Sequence, residues 1–122
     1  MKKKLLILLL VFSLALPLWV ACGNGKSADV HVFYYNYSDT YISSVRTALD
    51  RELESAGISY QDYDGGGSQT TQTEQIRTAV TKGAKAILVN IVNTGSDDAA
   101  NEIATLAKDA GVPLVFFNRE VS

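Results

Sequence analysis

The stretch Ala86-Ile87-Leu88-Val89-Asn90-Ile91-Val92 is apolar throughout except for one asparagine. A strand with one wet face alternates apolar and polar residues, whereas a strand covered on both faces does not. The run therefore reads as a strand of a parallel sheet with helices on either side. Three further apolar runs cover residues 30–35, 58–63 and 113–117, so that the four begin at positions 30, 58, 86 and 113. That spacing leaves room for one helix in each gap.

The gaps carry helical patterns. Apolar residues recur at steps of three and four in Ile42, Val45, Leu49, Leu53 and Ala56, then in Ile76, Ala79 and Val80, then in Ala99, Ile103, Leu106, Ala107 and Ala110. Each pattern closes on a glycine, Gly57, Gly83 or Gly111, where a left-handed cap is wanted. Strands alternating with helices wind into right-handed βαβ units. The predicted fold class is α/β, a parallel sheet with helices on both faces.

The first residues are of another kind. Lys2, Lys3 and Lys4 precede the apolar residues 5–18, and Val20-Ala21 supplies small side chains before a cleavage point. Residues 1–21 therefore read as a signal peptide, too short for a membrane span. Cys22 is the only cysteine, so no internal disulfide is possible. Its place after Ala21 resembles the lipobox of bacterial lipoproteins, which makes Cys22 the expected lipidation site and residues 22–29 a tether. Residues 30–122 are the globular part.

Eleven basic and thirteen acidic residues give a net charge of −2, and removal of the three N-terminal lysines makes it −5. An acidic domain with scattered cations has no footprint for a phosphate backbone, which excludes nucleic acid as a partner.

In an open parallel sheet, ligands bind outside the carboxyl ends of the strands. Asp39 and Tyr41 straddle the start of the first helix. A carboxylate accepts two adjacent hydroxyls and an aromatic ring covers the C–H face of a pyranose. The same two residues also read as an N-cap and a half-buried packing residue. Asn90, near the end of its strand, needs partners for a buried amide, either a sugar hydroxyl or neighbouring loop backbone. Asn118 holds the matching place after the fourth strand.

Gly65-Gly66-Gly67 lacks the Lys-Ser/Thr of a phosphate loop and reads as a flexible turn. His31 lies within the first strand, away from the loops, and reads as structural. Asp97-Asp98 and Glu52/Glu54 read as solvated helix positions. No serine elbow and no histidine–cysteine cluster occurs, so no catalytic residue, metal site or cofactor is expected.

The segments Tyr37-Ser38-Asp39-Thr40-Tyr41-Ile42, Gln72-Thr73-Glu74-Gln75-Ile76, Lys82-Gly83-Ala84-Lys85-Ala86-Ile87-Leu88-Val89-Asn90 and Gly111-Val112-Pro113-Leu114-Val115-Phe116-Phe117-Asn118-Arg119-Glu120 are similar to the first lobe of the periplasmic D-galactose/D-glucose-binding proteins. These are type I substrate-binding proteins of ABC importers. The resemblance places Asp39 on the family's sugar-accepting aspartate, Tyr41 on its aromatic stacking residue and Asn90 on its sugar-binding asparagine. It implies a monosaccharide ligand, galactose or glucose, an ABC permease as partner, and an exported protein held by a lipid anchor at the extracytoplasmic face of the cell membrane, monomeric when complete. It also implies a second lobe, carrying the family's calcium loop, that is missing here, so the globular part reads as an incomplete first lobe.

A membrane-tethered sugar sensor for chemotaxis or a two-component system would use the same lobe. A small exported enzyme would need an acid–base pair that the strand ends lack. The lipid anchor makes a simple expectation: Cys22→Ala removes the protein from the detergent phase on phase separation, and retention there contradicts lipidation.

Overall fold

The computed structural model describes residues 26–121. The signal peptide, Cys22 and the first part of the tether lie outside them. Seven elements alternate in chain order: β1 (Val30–Tyr34), α1 (Thr40–Ser55), β2 (Tyr60–Asp64), α2 (Gln69–Thr81), β3 (Ala86–Val89), α3 (Asp97–Ala110) and β4 (Leu114–Phe116). The strands form one sheet in the order β2-β1-β3-β4, parallel throughout. The α/β fold read from the spacing is the fold observed.

Strand β1 lies inside the sheet and is buried from His31 to Tyr34. Phe33 points toward α2 and α3 and packs with Ile76, Ala79, Ile87, Val89, Ile103 and Ala107. Val32 and Tyr34 point the other way and pack with Ile42 and Leu53 of α1. The two faces are thus unequal, two helices on one and one on the other. Among the described residues no helix is long and apolar enough to cross a membrane.

The helix ends follow the sequence. Asp39 caps α1, its side chain accepting from the Ile42 amide, and Ser68 caps α2 by accepting from the Thr71 amide. Asp97 and Asp98 occupy the first turn of α3, where the helix dipole favours anions. Gly57, Gly83 and Gly111 all take positive φ.

Strand β2 begins two residues later than the apolar run at Ile58. The Ile58 amide donates to the Leu53 carbonyl, 3.0 Å, and so finishes the C-terminal turn of α1 instead of joining the sheet. Strand β3 ends at Val89, and the Asn90 amide makes one more bond across to the Phe33 carbonyl, 2.8 Å. Strand β4 is an edge of the described sheet, with Val115 54% exposed. An apolar, unpaired edge is a template for association.

The triple glycine after β2 is a tight turn and not the flexible one expected. The Gly65 and Gly67 amides donate to the Tyr34 and Tyr35 carbonyls, 2.8 and 2.7 Å, while the Gly66 amide donates to Asp64 Oδ1, 2.8 Å. All three amides are spent inside the protein, and a carboxylate already fills the turn. Gly65 is needed for close approach, because a Cβ there would stand 3.0 Å from the Tyr34 carbonyl oxygen and 3.2 Å from both the Tyr35 carbonyl oxygen and Val92 Cγ2. Overpacking of that kind costs about 1–3 kcal/mol. Gly65→Ala is therefore expected to lower the unfolding free energy from urea titration by that amount, whereas Ala at Ser55, an exposed helical position, leaves it within about 0.5 kcal/mol.

Candidate functional site

The order of the strands reverses between β1 and β3. From β1 the chain passes to β2 on one side, and from β2 it returns to β3 on the other. The loops after β1 and β3 consequently diverge, and a crevice opens at their carboxyl ends. Asp39, Tyr41, Asn90 and Asn118 all belong to segments at this end of the sheet.

Asp39 is the residue the structure equips most fully. Its Oδ1 accepts from the Ile42 amide, 2.9 Å, and its Oδ2 accepts a short hydrogen bond from the Tyr35 hydroxyl. The Tyr35 hydroxyl above all, then the Ile42 and Tyr41 amides and the charge of Arg119, hold its carboxyl below the usual carboxylate range. The N-cap reading of Asp39 is what the structure shows. A carboxylate offers about four acceptor positions, so capping leaves room for a ligand hydroxyl.

Tyr41 does not pack against the domain. It is 63% exposed, and its ring stands at the protein surface two residues after the cap. Asn90 is the opposite case. Its exposure is 0%, its Oδ1 accepts from the Tyr35 amide, 3.3 Å, and its Nδ2 donates to the Phe117 carbonyl, 3.2 Å. Of the two partners expected for this amide, sugar hydroxyl or loop backbone, the structure supplies backbone. Asn118 is exposed and takes a left-handed conformation, φ 64°. Asparagine tolerates that region better than most residues.

Two residues absent from the sequence reading join the group. Arg119 Nη1 donates to the Ile91 and Val92 carbonyls, both at 2.8 Å, and its guanidinium lies 4.3 Å from the centre of the Tyr35 ring. Tyr35 thus holds Asp39 with its hydroxyl, Arg119 with its ring and Asn90 with its amide. The hydrogen bond to Asp39 is also the main cause that pushes the Tyr35 hydroxyl above its ordinary pKa.

Arg119 could have been found in the sequence, because it is the one cation in the loops that follow the four strands. Tyr35 gave no such signal. It continues the apolar run of β1 and looks like core.

Glutamines from α2 close the floor of the crevice. Gln72, fully buried, donates to the Asn90 carbonyl and accepts from the Val92 amide, both at 3.0 Å. Gln69 Oε1 accepts from the Asn93 amide, 2.8 Å. His31 lies at the far end of the sheet, 3% exposed, between the Tyr63 hydroxyl at 2.9 Å and the Ala28 carbonyl at 3.1 Å. It is structural, as read from the sequence. Among the described residues no group of three or more histidines, cysteines or carboxylates is placed to hold a metal ion.

The periplasmic binding protein domain profile matches residues 30–122. The chain belongs to the periplasmic binding protein family. It is 31% identical to the D-galactose/methyl-galactoside binding periplasmic protein of Haemophilus influenzae, over 98% of this chain and 35% of that protein. Its fold is similar to the Caulobacter myo-inositol binding protein, with a TM-score of 0.72 and 21% identity over 80% of this chain and 32% of that one. A Bacillus halodurans ABC transporter solute binding protein with bound myo-inositol gives 0.69 and 25% over 80% and 33%. The chain spans about a third of the length of these relatives.

Tyr35→Phe isolates the central contact. Loss of the hydroxyl removes the largest influence that lowers the Asp39 carboxyl, so its titration, followed by the side-chain carboxyl carbon signal, is expected to move to higher pH. An unmoved titration would show that Tyr35 does not govern this carboxylate.

Proposed function

We propose that this chain supplies half of a capture site for an uncharged, polyhydroxylated ring, a hexose such as galactose or glucose, outside the cytoplasmic membrane and in the service of an ABC importer. The observation that carries the reading is Asp39. It is an ionised acceptor fixed from two sides at the mouth of the β1–β3 crevice, with the exposed ring of Tyr41 two residues further on. Charged acceptors bind hydroxyls more strongly than neutral ones, and an aromatic face receives the C–H face of a sugar ring.

The relatives support the class of ligand. One is named for D-galactose and methyl-galactoside, and another holds myo-inositol. Both ligands are neutral rings bearing several hydroxyls. Galactose leads because the relative named for it matches nearly the whole chain.

In this reading Asp39 and Tyr41 face the ligand, with Asn118 at the rim. Asn90 positions them from below, since its amide is engaged with backbone. Arg119 clasps the loops that follow β3 and β4. No cofactor takes part in capture. The permease partner, the lipid anchor at Cys22 and the extracytoplasmic location belong to the same proposal, the last in keeping with the family. The enclosing second lobe would come from sequence corresponding to the remainder of the relatives' length.

A chimera joining residues 30–122 to the second lobe of a galactose-binding relative provides the test. Asp39→Asn preserves an oxygen for the Ile42 amide, its Nδ2 can donate to the Tyr35 hydroxyl oxygen in place of the bond accepted from it, and asparagine is as good a cap as aspartate. Loss of a charged acceptor costs about 1.5–3 kcal/mol, or roughly ten- to a hundredfold in affinity. Calorimetric titration of galactose and glucose is expected to show that loss with an unchanged melting temperature. Equal affinities in both forms would remove Asp39 from the site.

A further inference from the structure

On the face of the sheet opposite α2 and α3, the contact between α1 and the edge strand β2 contains a polar cluster that the capture site does not use. Asp62 pairs in register with Val32 of β1. In-register neighbours share a face, and Val32 belongs to the cluster under α1, so the Asp62 carboxyl points beneath that helix. Asp50 of α1 stands next to it there. Each of the two has a buried oxygen, Oδ1, without a hydrogen-bond partner. The hydroxyl of Tyr34, a residue with 0% exposure, lies in the same cluster and is likewise unpartnered.

Two carboxylates cannot hydrogen-bond to each other, because both are acceptors only. With both Oδ1 atoms buried and no donor at either, one proton between the two carboxyls is what would satisfy them. We propose that Asp50 and Asp62 share a proton that fastens α1 to β2, and that its loss loosens this helix. The device goes beyond the capture site and would operate whatever the ligand.

The surroundings favour retention of that proton. Burial, then the charge and the hydrogen bond of Asp50, push the Asp62 carboxyl up to about 7, and Arg46 of α1 opposes them. The groups that face the pair are Arg46 from α1, Tyr34 from β1, Tyr37 from the loop after it, and Tyr60 from β2. With the proton in place, one carboxylate charge stands against one guanidinium charge. Without it, two buried carboxylates face one cation. The first turn of α1 carries Tyr41 and is capped by Asp39, so a looser helix would also loosen the mouth of the crevice.

The sign follows from linkage. A carboxyl whose pKa is higher folded than unfolded stabilises the fold fully below the unfolded value, near 4, and loses that contribution as pH rises toward about 7. The folding constant should fall by up to tenfold per pH unit across this window and level off above it. His31 acts in the reverse sense, since burial lowers its pKa and stability is lost as pH falls through it. The effect is therefore read as a difference between variants that both keep His31.

The whole chain, kept in mild detergent because of its apolar residues 5–18, is unfolded by urea at pH 5, 6, 7 and 8. Asp62→Asn supplies a permanent N–H donor to Asp50. It is expected to abolish the decline and to exceed the wild type in stability at pH 8. The carboxyl carbon signals of the wild-type protein give a second reading that needs no variant, and one signal of the Asp50–Asp62 pair should titrate near neutrality. The proposal is overturned if both signals titrate in the ordinary carboxylate range, or if Asp62→Asn keeps the wild-type slope.

Discussion

Asn90 makes four hydrogen bonds from inside the protein, to three other segments. Its amide donates to the Phe33 carbonyl of β1, its carbonyl accepts from Gln72 of α2, and its side chain accepts from the Tyr35 amide and donates to the Phe117 carbonyl beyond β4. The ends of three strands and the first turns of a helix meet at one residue. A buried amide left without partners costs roughly 1–3 kcal/mol, so the position of each segment limits that of the others. The crevice at the switch in strand order would otherwise be the weakest part of the sheet, because there the ladder ends and the loops part.

The arrangement above Asn90 follows from this clamp. Fixing the Tyr35 amide fixes the direction in which the Tyr35 side chain leaves β1, and so brings its hydroxyl to Asp39 and its ring under Arg119. Arg119 returns to the Ile91 and Val92 carbonyls, which closes a loop of contacts around the crevice. The turn at Gly65 completes it from the other side, since only a residue without a side chain lets the β2 loop approach the end of β1.

The repeat of apolar runs made the fold legible, because a two-sided parallel strand leaves a distinctive apolar block and the helices close on glycine. Boundaries were harder to read. Ile58 is apolar and adjoins a strand, yet its backbone is claimed by the C-terminal turn of α1, a competition that composition does not reveal. Asp39 was legible as a cap, because a short carboxylate just ahead of a helical pattern can accept from the first-turn amides. Neither Tyr35, whose aromatic ring continues the pattern of β1, nor the Asp50–Asp62 pair was legible. Asp62 alternates with Tyr63 as an edge-strand residue should, and nothing in its neighbours shows that α1 covers it. Asn90 was legible as a buried amide in need of partners, but which partners depended on how closely the loops approach.

The charges around the crevice bear on the kind of ligand it could receive. Arg119 is the only cation in the loops at that end of the described sheet, and its guanidinium is already occupied by two carbonyl oxygens and an aromatic face. The glycine turn offers no free amide, since all three of its N–H groups donate within the protein. An anion would find few donors there and would face the Asp39 carboxylate, which stays ionised well into acid. A ligand that brings its own O–H donors meets the reverse situation, with an acceptor held rigidly by Tyr35 and the helix terminus and little reorganisation left to make. The local chemistry is thus in keeping with the proposed neutral polyol, and the reason is hydrogen-bond polarity.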